Sequence, residues 1–166
     1  MGIEYERIKE IIQEVPTPCY IVSEALLEKN LKLLRRVADR AGCKILLAQK
    51  AFSMYYYYPL IGKYLDGVTA SGLYEARLGY EERCQKERRC ENHVFSPAYD
   101  KGHMEELLQI CDHIVFNSFS QWELYKEAAL RAGKSCGIRI NPECSTQDHA
   151  IYDPCAPGSR LGVTLE

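Results

Sequence analysis

Lys44-Ile45-Leu46-Leu47-Ala48-Gln49-Lys50 is an apolar run that ends in an amide and an amine, and the rest of the chain reads outward from it. With the two-residue period of a strand, Leu46, Ala48 and Lys50 share one face, and Ile45, Leu47 and Gln49 share the other. Upstream, Ser23 is a natural N-cap and Glu24 a favourable first-turn carboxylate. Leu27, Leu31, Leu34, Ala38 and Ala41 then recur at helical spacing, with Glu28, Lys32, Arg35 and Arg36 on other faces and Gly42 as the stop. Earlier still, a polar helix is expected over about residues 3–13. Pro16-Thr17-Pro18 then enforces extended backbone, and Cys19-Tyr20-Ile21-Val22 reads as a short strand.

Downstream the pattern repeats as apolar run, polar or Gly/Pro loop, helical segment. The runs are Lys44–Gln49, Leu65–Ala70, His93–Ser96, His113–Asn117 and Cys136–Ile140. Helical patterns lie between them around Leu60–Tyr64, Leu73–Cys84, Met104–Cys111 and Trp122–Ala132. For the last, Ser120 three residues before Glu123 has capping-box spacing and Gly133 marks the end. Strands separated by helices predict parallel β-α units, in either an open doubly wound sheet or a (βα)-barrel. Polar residues follow each run: Gln49-Lys50, Thr69-Ala70-Ser71, Ser96-Pro97, Asn117-Ser118, and Arg139 with Asn141. They gather at the C-terminal edge, where ligands bind in both architectures. No Gly-x-Gly-x-x-Gly follows the first strand and no Gly-x-x-x-x-Gly-Lys-Ser/Thr occurs, so the usual nucleotide signatures of an open sheet are missing.

Length and composition narrow the class. The 166 residues fit one domain, with 46% hydrophobic and 27% charged residues, which excludes a wholly disordered or collagen-like chain. Lys plus Arg number 21 against 23 Asp plus Glu, so the net charge of −2 offers no basic excess for a nucleic-acid backbone. No run approaches the ~20 apolar residues of a membrane span, and the first residues lack a signal-peptide layout. A cytoplasmic protein that binds neither nucleic acid nor membrane is expected. Eight cysteines without a Cys-x-x-Cys pair read as small hydrophobes or free thiols. The best zinc-like set, Cys144, His149 and Cys155, matches no familiar spacing, so no metal is expected.

Two basic residues stand out. If the Leu46-Ala48-Lys50 face points into a barrel, Lys50 sits at the mouth of an apolar interior, where desolvation would lower its pKa and make it a Schiff-base nucleophile. The plainer reading is a strand-end lysine that reaches water. Arg139 opposes Ile138 and Ile140 and joins Gly137 and Asn141, as expected for the inner face of a barrel strand. A surface strand with solvated Arg139 is the alternative. Glu75, four residues after Ser71 at a helix start, is a site carboxylate or simply a favourable first-turn charge.

The segment Lys44–Ser53, preceded by Thr17-Pro-Cys-Tyr-Ile-Val22, resembles the start of the fold-type III pyridoxal-phosphate decarboxylases. Within that group it is most similar to the carboxynorspermidine/carboxyspermidine decarboxylases. The phrases that carry the resemblance are Lys50-Ala-Phe-Ser53, Thr69-Ala-Ser-Gly-Leu-Tyr-Glu-Ala-Arg-Leu-Gly79, Phe116-Asn-Ser-Phe-Ser-Gln-Trp122, Ile138-Arg-Ile-Asn-Pro142 and Tyr152-Asp-Pro-Cys-Ala-Pro-Gly-Ser-Arg-Leu-Gly162. They occur in family order through nearly the whole chain.

The resemblance implies a (βα)8 TIM barrel of the alanine racemase/ornithine decarboxylase type, followed by a C-terminal β-domain. Pyridoxal 5'-phosphate would be held covalently by Lys50. Arg139 would reach the cofactor region from the fifth strand, with Ser71 and Glu75 bordering the ring. It further implies a carboxy-lyase that acts on a polyamine precursor in spermidine biosynthesis. Residues 1–22 would join the β-domain, and 23–166 would form about the first five β-α units.

Against the ~250 residues of a full barrel, 166 is about five-eighths. The chain reaches Glu166 without a glycine-rich phosphate loop or an identifiable carboxylate for the pyridine nitrogen. It is therefore expected to be an incomplete fragment with little activity alone, forming a homodimer or associating with its missing half. Two other readings remain: a non-catalytic barrel module, and a decarboxylase for diaminopimelate or ornithine. The run Tyr55–Tyr58 is expected to pack at a helix start or to contact a polyamine through cation–π interactions.

Overall fold

The computed structural model describes residues 2–87 and 89–164. Helices α1 (Gly2–Glu14) and α2 (Glu24–Ala41) precede strand β1 (Leu46–Ala48). A 3-10 turn over Tyr55–Tyr57 leads into α3 (Tyr58–Gly62), followed by β2 (Gly67–Ala70), α4 (Leu73–Gly79) and a π turn over Tyr80–Cys84. Then come β3 (Glu91–Phe95), α5 (Lys101–Ile110), β4 (His113–Phe116), α6 (Phe119–Arg131) and β5 (Ser135–Ile138).

The local signals explain α2 closely. Ser23 accepts from the Leu26 N–H, and Gly42 takes the left-handed conformation that ends the helix, with φ 62°. At α6 the expected cap shifts by two residues. Ser118, not Ser120, accepts from the Gln121 N–H, while Gln121 Oε1 reaches back to the Asn117 N–H at 2.7 Å. Glu123 after Ser120 and Gln121 after Ser118 both have the right spacing, but the helix starts at Phe119, so Ser118 is the residue at its cap.

All five strands are parallel and pair in sequence order, β1-β2-β3-β4-β5. A doubly wound sheet would place later strands on the far side of β1, with helices on both faces. Sequential neighbours joined by crossovers of one hand instead carry every helix on the same face, as in part of a (βα)8 barrel. Burial agrees: along β3 and β4 half-exposed and fully buried residues alternate strictly. The covered face joins Ala70, Val94, Ile114 and Phe116 to Leu73 and Ala76 of α4, Met104 and Leu107 of α5, and Tyr125 of α6. A second cluster packs Ile45 and Leu47 beneath Leu31 of α2 and Tyr58 and Ile61 of α3.

Close helix–sheet approach demands Gly79, since a Cβ there would lie 2.5 Å from Val68 Cγ2 and 2.9 Å from Gln49 Nε2. Past Gly79 the expected helix Leu73–Cys84 widens into its π turn and carries Arg83 beneath the sheet, only 1% exposed. Arg83 donates to the carbonyls of Gly67 (2.7 Å) and Leu65 and pairs with Glu87 (3.1 Å). Those contacts satisfy the buried guanidinium where β2 begins.

Three further expectations change. Cys19–Val22 forms no strand, because no described strand lies alongside to supply a ladder, and Tyr20 is fully exposed. Cys84 and Cys90 form a disulfide across the loop before β3, so these two are not free thiols. Leu34, placed on the apolar stripe of α2, is exposed while Leu31 and Ala38 are buried. No helix among the described residues is long and apolar enough to cross a membrane.

Candidate active site at the C-terminal edge of the sheet

Helices α2 to α6 pack on one face of the sheet, and the other face borders the C-terminal ends of the strands. At β1 the ladder runs one residue further, through the Gln49 N–H to the Thr69 carbonyl at 3.2 Å. The chain then turns sharply, with the N–H groups of Ala51 and Phe52 both donating to the Ala48 carbonyl. Gln49 is not at a solvated edge, as its strand-end position suggested. It is buried under the helices, accepting from the Tyr58 hydroxyl at 3.1 Å and donating to the Thr69 carbonyl at 3.5 Å. That anchoring turns Gln49 toward the helices, and Lys50 follows in the turn after β1.

Lys50 is exposed and has no ion-pair partner among the described residues. The tyrosine run divides by face. Tyr58 is fully buried and its hydroxyl pKa is pushed up to about 12 by desolvation, with the Glu75 charge adding to it. Tyr55 and Tyr56 are exposed.

Ser71 follows β2, and its N–H donates to Glu75 Oε2 at 2.6 Å. Glu75 thus closes the β2–α4 turn, which gives its first-turn position a structural role. Arg139 extends β5 by one bond, its N–H donating to the Phe116 carbonyl at 2.8 Å. Its guanidinium carbon lies 4.6 Å from the centre of the Phe95 ring, so Arg139 occupies the inner face as its register predicted.

Beyond β5 the chain returns to the same edge. Val163 bridges Ile140 in parallel, and Asn117 clamps the returning segment by donating to the Arg160 carbonyl (2.8 Å) and accepting from the Gly162 N–H (2.7 Å). Gly162 has φ 85°, and a Cβ there would meet Asn141 N at 2.8 Å, so only glycine fits. Lys50, Ser71, Glu75 and Arg139 thus all follow the C-terminal ends of strands, with Ser71 and Glu75 joined across one turn and Arg139 resting on Phe95.

At the opposite, N-terminal end of the open face lies a group that sequence reading missed: Lys44, Glu91, His93 and His113. Lys44 pairs with Glu91 Oε1, and His93 Nε2 lies 3.0 Å from Glu91 Oε2. The residues are distant in sequence but meet because His93 and His113 are direct ladder partners. The available signal was that both runs begin with histidine. The zinc-like set Cys144, His149 and Cys155 does not assemble among the described residues.

No family model matches the chain. A carboxyaminopropylagmatine decarboxylase of Synechocystis is 37% identical over 92% of the chain, which spans 38% of that relative. Carboxynorspermidine/carboxyspermidine decarboxylases of Herminiimonas arsenicoxydans and Campylobacter jejuni are each 36% identical, over 89% and 91% of the chain. This chain is related to an N-terminal portion of the carboxynorspermidine/carboxyspermidine decarboxylases. The crystal structure of carboxynorspermidine decarboxylase complexed with norspermidine, from Campylobacter jejuni, superposes with a TM-score of 0.77 and 33% identity. The match covers 90% of this chain and 36% of that structure. The chain spans less than two-fifths of the curated relatives it matches.

Proposed function

We propose that this chain is the lysine-bearing part of a pyridoxal-phosphate decarboxylase that removes the carboxylate from a carboxy-polyamine in spermidine-type biosynthesis. The observation that carries the reading is the place of Lys50: an exposed primary amine in the turn just past the first strand, in a chain related to such decarboxylases over nine-tenths of its length. The residues present suit the cofactor chemically, since an exposed amine can bind its aldehyde and a guanidinium such as Arg139 can complement its negative charge. Bound there, pyridoxal phosphate supplies an electron sink for the carbanion left when carbon dioxide departs.

The chain's own residues would do the remaining work. Lys50 Nζ would hold the cofactor, give way to the substrate amine and later hold the proton to be returned. Arg139, flat against Phe95, would orient an anionic group from the fifth strand. Ser71 and Glu75 would border the ring, with their own hydrogen bond keeping that turn closed. Tyr58 and Gln49 position the turn that carries Lys50.

The 37% relative named for carboxyaminopropylagmatine supports a second substrate, one with a guanidine tail in place of an amine. A cytoplasmic location and association as a homodimer or with a complementary barrel segment also belong to this proposal. Among the described residues β1 pairs only with β2, and a strand edge of that kind favours association.

The test is reductive trapping. The purified chain is incubated with pyridoxal phosphate, reduced with borohydride and mapped by peptide mass spectrometry. Label on the Lys50 peptide is expected, with none in Lys50→Ala; equal labelling of Lys50→Ala would remove the assignment. Release of carbon dioxide is then measured from carboxynorspermidine, carboxyspermidine, carboxyaminopropylagmatine, diaminopimelate and ornithine. Weak or no turnover is expected from the chain alone. Robust turnover would show that five β-α units suffice, and trapping elsewhere with no turnover in any assembly would favour a non-catalytic module.

A further inference from the structure

We infer that Glu91, His93 and His113 form a binding site for a divalent first-row transition metal ion, of which Zn2+ is the natural occupant by ligand chemistry. The site lies at the N-terminal end of the open sheet face, away from Lys50, and stands independently of the proposed decarboxylase. One ligand atom from each residue lies within 4.8 Å of the others. The separations suit one ion. Zn2+ binds nitrogen and carboxylate oxygen at ~2.0–2.2 Å, so two tetrahedral ligand atoms lie ~3.4 Å apart. Glu91 Oε2 is 3.0 Å from His93 Nε2 and 3.9 Å from His113 Nε2, distances that bracket that value.

The scaffold favours the same conclusion. Glu91 and His93 are two residues apart on β3 and so share a face, and His93 pairs directly with His113 on β4. The imidazole rings lie 4.0 Å apart at a tilt of 34°, held by the ladder rather than by loops. His113 has no hydrogen-bond partner among the described residues, although its Nε2 lies just beyond hydrogen-bond reach of the carboxylate. All three side chains are partly exposed, at 23–36%, so an ion can enter and water can fill a fourth position.

The electrostatics fit as well. Lys44 holds the Glu91 carboxyl below the usual range, and burial holds His93 below the usual imidazole range. Two nitrogens and one oxygen suit Zn2+ and its neighbours and not Ca2+ or Mg2+, which take oxygen ligands. Lys44 on the other Glu91 oxygen is a competing cation.

The experiment is Zn2+ titration of the tag-free chain by calorimetry, with Co2+ absorption as a second readout. One equivalent is expected to bind, with affinity falling about tenfold or more in Glu91→Gln, His93→Gln and His113→Gln. Lys44→Gln should tighten binding severalfold, an effect that loss of structure would not produce. For the unmodified chain, nitrogen NMR should show the Zn2+-induced shift on two of the four histidines. Absence of one-equivalent binding, retained affinity in the double histidine variant, a thiolate-to-cobalt band or unshifted His93 and His113 nitrogens would each overturn the inference.

Discussion

The two ends of the open sheet face satisfy their polar groups differently. At the C-terminal edge, Ser71, Arg139 and Asn117 engage separate partners, a carboxylate, a ring and a returning backbone segment, while Lys50 is exposed. At the N-terminal end, Lys44, Glu91, His93 and His113 contact one another, and Arg83 ties down the carbonyls beneath β2. An edge of independently held groups can receive a ligand with little rearrangement. A network set by strand register is rigid, and each member depends on its neighbours.

The largest effect expected from this contrast concerns the two lysines. Lys50→Ala should abolish cofactor trapping, and Lys44→Ala should leave it near the unmodified level; labelling that follows Lys44 instead would reverse the roles of the two ends. Stability should show the opposite order. Arg83→Ala leaves buried carbonyls unsatisfied and Glu87 unpaired, and should cost about 3–5 kcal/mol in urea unfolding. Asn117→Ala at the other edge should cost only about 1–2 kcal/mol. Equal losses would show that the edge is as rigid as the base.

Acid titration separates the ends further. The Asp66 carboxyl is penalised by burial, but the Ile45 N–H and Arg35 outweigh this and hold it below the usual range; Lys44 does the same for Glu91. A carboxyl with a depressed folded pKa contributes stability that is present above its unfolded value, ~4. That contribution is lost as pH falls through the folded pKa. His93, held low mainly by burial, has the same sign, since protonation below ~6.5 favours the unfolded chain. Urea midpoints should therefore fall in two stages on acidification, and Glu91→Gln should flatten the lower one. An unchanged acid limb would show that the base network adds no stability.

The smallest effect is expected far from both ends. Glu127 and Arg131 form an exposed pair on α6, so Glu127→Gln should change stability by less than about 0.5 kcal/mol. A larger loss would mean that α6 depends on surface charge rather than on Tyr125 and Ala129 beneath it.

Legibility followed the range of the interactions. The Ser23 and Gly42 caps and the five apolar runs were all readable, because each depends on residues within a few positions. The cap of α6 slipped because Ser118 and Ser120 both satisfy the local pattern, and only the reciprocal bond from Gln121 to Asn117 distinguishes them. Cys19–Val22 was misread because a strand exists only where a partner strand meets it.

The amino-acid sequence by itself determined the alternation of strands and helices, the placing of Arg139 on the face opposite Ile138, and the relationship to decarboxylases. Local periodicity and short-range capping are sufficient for the first two, and the linked phrases for the third. Only the tertiary structure decided that the strands run in sequence order and so belong to a barrel. It also buried Gln49, joined Cys84 to Cys90, and brought His113 beside His93 across twenty residues of chain. Those outcomes depend on which strand lies next to which and in what register. Pairing between distant segments sets both, and no local pattern encodes it.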